Sequence, residues 1–132
     1  MAEMYTEKVL DHVRNPRNVG SLDDANVVVQ AGDPICGDAV LFFLKIQGGF
    51  IHDVKFLIKG CGAAVATSSV ATELVMGRSL DEVLALDDLT IATALDGLPA
   101  EKMHCSNMAA SALHAAVRQY LATMAGEAAP DG

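Results

Sequence analysis

The sequence has 132 residues, a length that predicts one domain with a sizeable hydrophobic core. Nine Lys and Arg against 17 Asp and Glu give a net charge of −8, which argues against nucleic acid or an anionic membrane as a partner. The uncharged run at residues 63–72 is too short to span a bilayer, and the first five residues lack the features of a secretory signal. We therefore expect a cytoplasmic protein without a transmembrane helix.

The spacing of apolar residues in the first half of the chain predicts one helix followed by strands. The helix is predicted over residues 5–14 and ends before Pro16, because proline disfavours a helical conformation in the residue that precedes it. Three strands are predicted at residues 26–30, 39–47 and 51–59. The Gly48-Gly49 pair between the last two strands is typical of a tight hairpin.

The second half of the chain has helical periodicity. Further helices are predicted over residues 62–77, after the capping box at 79–82, over 89–95 and over 104–124. This order predicts an α+β fold, in which a small antiparallel three-stranded sheet is covered on one face by about five helices. We expect residues 1–125 to form a single domain and residues 126–132 to form a disordered tail.

The three cysteines are the candidates for chemistry. An odd number in a reducing compartment argues against a disulfide framework, and Cys36, Cys61 and Cys105 have glycine, histidine or short polar neighbours. Cys61 and Cys105 lie at predicted helix N-termini, where unpaired N–H groups and the helix dipole lower a thiol pKa. With Asp38 and His104 as further donors, the set suits either zinc or an iron-sulfur cluster.

Four separated motifs contain all three cysteines. They are YTEKVLDH with NPRNVG within residues 5–20, CGD at 36–38, GCGAAVA at 60–66, and LP with EKMHCS within 98–106. In this order they resemble the IscU/NifU family of iron-sulfur cluster scaffold proteins, and the resemblance runs from about residue 5 to residue 120.

The resemblance implies a scaffold rather than a turnover enzyme. On such a scaffold, iron and the sulfur delivered by a cysteine desulfurase assemble into a 2Fe-2S cluster, which is later passed to acceptor apoproteins. The corresponding residues are the cluster ligands Cys36, Asp38, Cys61, His104 and Cys105 and the supporting Lys102. The same analogy makes Cys105 the acceptor of persulfide sulfur, a role that needs an exposed and mobile thiol.

The mixed ligand set fits a protein that must release its cluster. A carboxylate or an imidazole in place of a fourth thiolate weakens the hold of the protein on soft iron-sulfide, and Asp38 is suited to this role. An open cluster site is also compatible with an oligomer in which a second subunit covers it.

The motif at residues 98–102 departs from the family pattern. The stretch that the family's chaperone recognises often reads Leu-Pro-Pro-Val-Lys, whereas this chain has Leu98-Pro99-Ala100-Glu101-Lys102. Recognition by an Hsp70/J-type chaperone therefore does not follow from the resemblance.

Two alternative functions use the same residues. In a thiol enzyme Cys105 would be the nucleophile and His104 its base, but neighbours on a helix project roughly 100° apart and are not expected to meet. In a structural zinc protein the same ligands would close a permanent tetrahedral site, and the sequence leaves this alternative open.

Other polar residues are expected to be structural. We interpret His12 as a polar residue of an amphipathic helix, His52 as the start of a strand, and His114 as facing solvent or a neighbouring helix. Ser68 and Ser69 are expected on a helix surface or at a close helix contact.

Overall fold

The computed structural model of the chain describes residues 5–33 and 37–124 and has an α+β architecture. Three antiparallel strands form the sheet: β1 (Val27–Asp33), β2 (Asp38–Gln47) and β3 (Phe50–Lys59), in the order β1-β2-β3. The helices are α1 (Glu7–Arg14), α2 (Gly62–Val75), α3 (Leu80–Leu84), α4 (Asp88–Ala94) and α5 (Met103–Met124). The predicted fold class is confirmed, and a 3-10 turn at Ala100–Lys102 is an addition to it.

The sheet buries one face against the helices. Burial alternates along β2, where Val40, Phe42 and Leu44 are buried and the residues between them are only partly so. This is the period-two pattern of a strand with one face toward the core. Phe42 packs on Phe56 of β3 with ring centroids 6.0 Å apart, and α5 and α2 cover this face.

The β2-β3 hairpin turns at Gly48 and Gly49, as predicted. Both glycines have positive φ, 62° and 81°, a conformation that a residue with a Cβ rarely adopts. The register pairs Ala39 with Lys59, so that the start of β2 and the end of β3 lie at the same end of the sheet.

Helix α2 is the central helix of the domain. Ten of its residues are buried, because α1, α5 and the sheet pack around it. Its N-cap is Cys61, which Gly60 separates from the end of β3, and the Cys61 sulfur lies 3.9 Å from that of Cys105 at the start of α5. The three chain segments that carry Asp38, Cys61 and Cys105 therefore meet at one end of the sheet.

No helix within the described ranges is both long enough and apolar enough to cross a membrane. The eight residues that follow Met124 lie outside the described part of the chain, and so the predicted disordered tail stays a prediction.

The capping box at the start of α3 is confirmed. Ser79 Oγ accepts from the Glu82 N–H at 3.2 Å, and the Glu82 carboxylate accepts from the Ser79 N–H at 2.9 Å. We expect Ser79→Ala to lower the free energy of unfolding by about 1 kcal/mol, because the helix loses its side-chain cap. Urea titration of parent and variant measures the difference, and equal midpoints at equal slopes would contradict it.

Candidate functional site

Asp38, Cys61 and Cys105 form one cluster of potential ligands. One ligand atom from each lies within 4.8 Å of the others. The two sulfurs are 3.9 Å apart, and Asp38 Oδ2 is 3.9 Å from each of them. The predicted convergence is therefore present for these three residues, whereas Cys36 lies outside the described residues.

The backbone at the start of α2 orients the Asp38 carboxylate. The Cys61 N–H, one of the unpaired donors at a helix N-terminus, donates to Asp38 Oδ1 at 3.3 Å. This leaves Oδ2 directed at the two thiols. Asp38 is 5% exposed, so the carboxylate is held inside the site rather than extended into solvent.

Cys105 is fully buried on the first turn of α5. Burial raises the pKa of its thiol well above the ordinary range, and neighbouring Cys61 and the Asp38 carboxylate raise it further, while the Lys102 charge lowers it. Two expectations for Cys105 are therefore wrong: its pKa is not lowered, and its thiol is not exposed. The desolvation of a thiolate at this depth outweighs the helix dipole.

The two thiols differ in access. Cys61, at the N-cap of α2, is partly exposed, and its predicted place at a helix N-terminus is confirmed. Thr67, two turns into α2, donates its hydroxyl to the Ala64 and Cys105 carbonyls at 3.1 and 3.4 Å. This contact fixes the first turn of α5 against α2 and thereby holds the two sulfurs near each other.

His104 and Lys102 are also at the site. His104 Nε2 lies 3.6 Å from Cys105 Sγ, which contradicts the prediction that these neighbours do not meet. Lys102, in the 3-10 turn before α5, is close enough for its charge to lower the Cys105 pKa.

Sequence reasoning missed the part played by Gly60. In the sequence Gly60 is simply the first residue of the GCGAAVA motif, whereas in the structure it borders the Asp38 carboxylate. The sequence shows only a glycine beside a candidate ligand. Such a glycine can be required either by a close approach of another group or by a turn, and the sequence does not distinguish the two.

His12 is buried, contrary to its interpretation as an ordinary polar residue of an amphipathic helix. Its Nδ1 lies 2.7 Å from Ser69 Oγ, and its Nε2 lies 3.6 Å from Glu73 Oε1. Burial lowers the pKa of His12, with a further lowering from the Arg17 charge, while Glu73 and Asp11 oppose the shift. The histidine thus joins α1 to α2 in its neutral form.

This lowered pKa makes the stability of the fold depend on pH. The unfolded chain binds a proton at His12 near pH 6.5, whereas the folded chain does so at lower pH. We therefore expect the free energy of unfolding to fall as the pH drops through 6.5 toward the folded pKa, and to be undiminished above 6.5.

Urea titrations between about pH 5 and 8 measure this dependence. His12→Gln should make the free energy of unfolding depend less on pH in this window. The control His52→Gln, at an exposed position on β3, should retain the pH dependence of the parent. An equal pH dependence of the free energy of unfolding in the parent and in His12→Gln would contradict the role given to His12.

Comparison with known proteins places these residues in a family. The NifU-like N terminal domain matches residues 4–126. The iron-sulfur cluster assembly scaffold protein IscU 1 of Archaeoglobus fulgidus is 49% identical over 117 residues, covering 89% of this chain and 76% of that protein. IscU of Escherichia coli K12 is 48% identical over 120 residues, covering 88% and 93%.

Solved structures have the same fold. The N-terminal part of a nitrogen-fixing NifU-like protein from Brucella abortus matches with a TM-score of 0.59 and 25% identity, covering 92% of this chain and 82% of that one. A candidate iron-sulfur cluster assembly scaffold protein for the SUF system from Fervidobacterium islandicum matches with a TM-score of 0.70, covering 86% of this chain and 96% of that one. At 22% identity this likeness concerns the fold alone. With most of its length matched by the NifU-like N-terminal domain and by two IscU proteins, this chain belongs to the IscU/NifU family.

Proposed function

We propose that this protein is a scaffold for iron-sulfur cluster assembly. It accepts iron and desulfurase-derived sulfur, builds a labile 2Fe-2S cluster and transfers it to acceptor apoproteins. The observation that carries the proposal is the convergence of two thiols and one carboxylate within 4.8 Å, at the end of the sheet where three chain segments meet. Its relatives are named as scaffolds of this kind.

The proposed ligands combine soft and harder donors. Cys61 and Cys105 supply thiolates, Asp38 supplies a carboxylate oxygen, and His104 supplies an imidazole next to Cys105. Cys36, two residues before Asp38 in the chain, is the third proposed thiolate. Thiolates bind iron-sulfide and zinc firmly, whereas a carboxylate binds them less firmly. This mixed ligand set therefore suits a cluster that the protein has to release.

A role as scaffold also fits the state of Cys105 better than a role as enzyme. A catalytic thiol needs a lowered pKa and access to its substrate, but this thiol is buried and has a raised pKa. Metal binding removes the proton from such a thiol directly. Sulfur transfer from a desulfurase persulfide onto Cys105 requires the start of α5 to move and expose the sulfur, whereas Cys61 is already partly exposed.

The proposed partners follow from this chemistry. A cysteine desulfurase supplies the sulfur, acceptor apoproteins receive the cluster, and the proposed compartment is the cytoplasm. Zinc is a second metal that the thiols and the carboxylate suit, and it would occupy the site in place of the cluster.

The test is anaerobic reconstitution of the reduced protein with ferrous iron, cysteine, a cysteine desulfurase and an excess of a dithiol reductant, which supplies the electrons that convert persulfide sulfur to sulfide. Iron, zinc and acid-labile sulfide are then measured per chain. We expect iron and sulfide in equal amounts, and release of both to an apo-ferredoxin added afterwards. Retained zinc with no sulfide would overturn the proposal in favour of a structural zinc protein with the scaffold fold.

A further inference from the structure

Gly60, between β3 and α2, has no conformational reason to be glycine. Gly48, Gly49 and Gly77 have positive φ and need the missing side chain for that reason, but Gly60 does not have a positive φ. Its backbone conformation is therefore open to residues with a Cβ. The requirement for glycine must come from the space around it.

That space is occupied by the Asp38 carboxylate. A Cβ on Gly60 would lie 2.7 Å from Asp38 Oδ1 and 2.9 Å from Asp38 Cγ, and 3.2 Å from the Cβ of Ala64. Separations below 3.0 Å are not tolerated between such atoms, so one of the two groups would have to move.

The carboxylate cannot move without leaving its position in the site. Asp38 is 5% exposed, its Oδ1 accepts from the Cys61 N–H, and its Oδ2 lies 3.9 Å from both sulfurs. Because Oδ1 makes both contacts, a displacement of the carboxylate away from residue 60 also disturbs the hydrogen bond from the Cys61 amide. It also changes the distance from Oδ2 to the thiols.

We propose that Gly60 is a positioning residue for the Asp38 ligand. The absence of a side chain at residue 60 lets the carboxylate approach the N-terminus of α2, where the Cys61 amide fixes one oxygen and directs the other toward Cys61 and Cys105. The assignment rests on the proposed function in treating Asp38 as a ligand of the cargo. It adds a steric determinant that contributes no donor atom of its own.

The chain offers a matched control in Gly62, on the other side of Cys61. Gly62 also lacks a positive φ, and a Cβ there would meet Val13 Cγ2 at 3.5 Å and a Tyr5 ring carbon at 3.8 Å. Both distances are ordinary van der Waals contacts. Gly62→Ala therefore adds the same methyl group next to the same cysteine without contacting Asp38.

The experiment is a Co²⁺ titration, followed by visible absorption, of the reduced parent chain and its variants. The variants are Gly60→Ala, Gly62→Ala, Asp38→Ala and the double variant Gly60→Ala/Asp38→Ala. We expect Gly60→Ala and Asp38→Ala each to raise the Co²⁺ dissociation constant roughly tenfold or more and to change the d–d bands alike. Gly62→Ala should stay within about twofold of the parent, and the double variant within about twofold of Asp38→Ala.

Two results would overturn the proposal. One is a Gly60→Ala protein with the Co²⁺ affinity and spectrum of the parent. The other is an effect of Gly60→Ala that is equally large when Asp38 is already alanine, since the new methyl group would then act through something other than the carboxylate.

Folding of the variants is checked by circular dichroism and thermal unfolding. If Gly60→Ala does not fold, the double variant decides: it should fold as Asp38→Ala does, because the opposing carboxylate is gone. A double variant that stays unfolded while Asp38→Ala folds would place the conflict at Ala64 and refute the assignment.

The titration needs neither sulfide nor a desulfurase, so it separates this proposal from the proposed function. A parent chain that never assembles a cluster, yet shows the coupling between Gly60 and Asp38, would refute the scaffold function and keep the positioning role. Cluster assembly by the parent chain without any coupling between Gly60 and Asp38 would support the scaffold function and refute the positioning role.

Discussion

Cys61→Ser and Cys105→Ser should each abolish retention of the cluster in anaerobic reconstitution, with iron and sulfide per chain at least about tenfold below the parent. The two sulfurs, one at the N-cap of α2 and one on the first turn of α5, lie 3.9 Å apart, and in the proposed function both bind the same cluster. Serine preserves the side-chain size but offers a hard oxygen whose proton is not released at neutral pH.

The control for this pair is Ser68→Ala. Ser68 is a fully buried residue of α2, the helix that Cys61 caps. Its Oγ has no hydrogen-bond partner among the described residues. Removing that oxygen should leave the iron and sulfide content at the parent level. Full loading of Cys105→Ser would contradict the ligand assignment and exclude Cys105 from the set.

The elements of the fold were predictable because their periodicities are strong. The alternation in residues 39–47 and 51–59 and the glycine pair between them define the hairpin, and the capping box defines the start of α3. β1 runs to Asp33, three residues beyond the prediction for that strand. The last residues of β1 pair with the start of β2. Ala31 and Gly32 have no apolar alternation that would predict a strand, so their extended conformation comes from pairing with β2.

Sequence motifs identified the side chains that converge at the candidate site but not their environments. The resemblance pointed to Asp38, Cys61 and Cys105, which the fold brings together. The burial of Cys105 could not be predicted, because it results from packing of α5 against α2 and not from the helix start itself. The burial of His12 beside Ser69 has the same origin, since the two residues are 57 positions apart in the chain.

Asp38→Ala should give a longer-lived cluster that is transferred more slowly to an acceptor. The carboxylate lies 3.9 Å from both sulfurs and, after burial and Cys61, helps to raise the pKa of Cys105. As a hard oxygen donor, it is the member of the proposed ligand set that an incoming acceptor displaces most readily from iron-sulfide. Without it this first step of release is removed, even though the equilibrium affinity for a single metal ion falls, and we expect the lifetime to increase on the order of tenfold, about 1.4 kcal/mol in the barrier to release.

The measurement follows the visible absorption of the reconstituted cluster with time, alone and after addition of an apo-ferredoxin. Asp38→Asn serves as the second variant, because its side-chain oxygen can still accept from the Cys61 amide while the charge is lost. If the charge makes the cluster labile, the asparagine variant behaves like the alanine variant. If the hydrogen bond is what matters, Asp38→Asn keeps the parent lifetime. An unchanged lifetime in Asp38→Ala would show instead that Asp38 does not control release of the cluster.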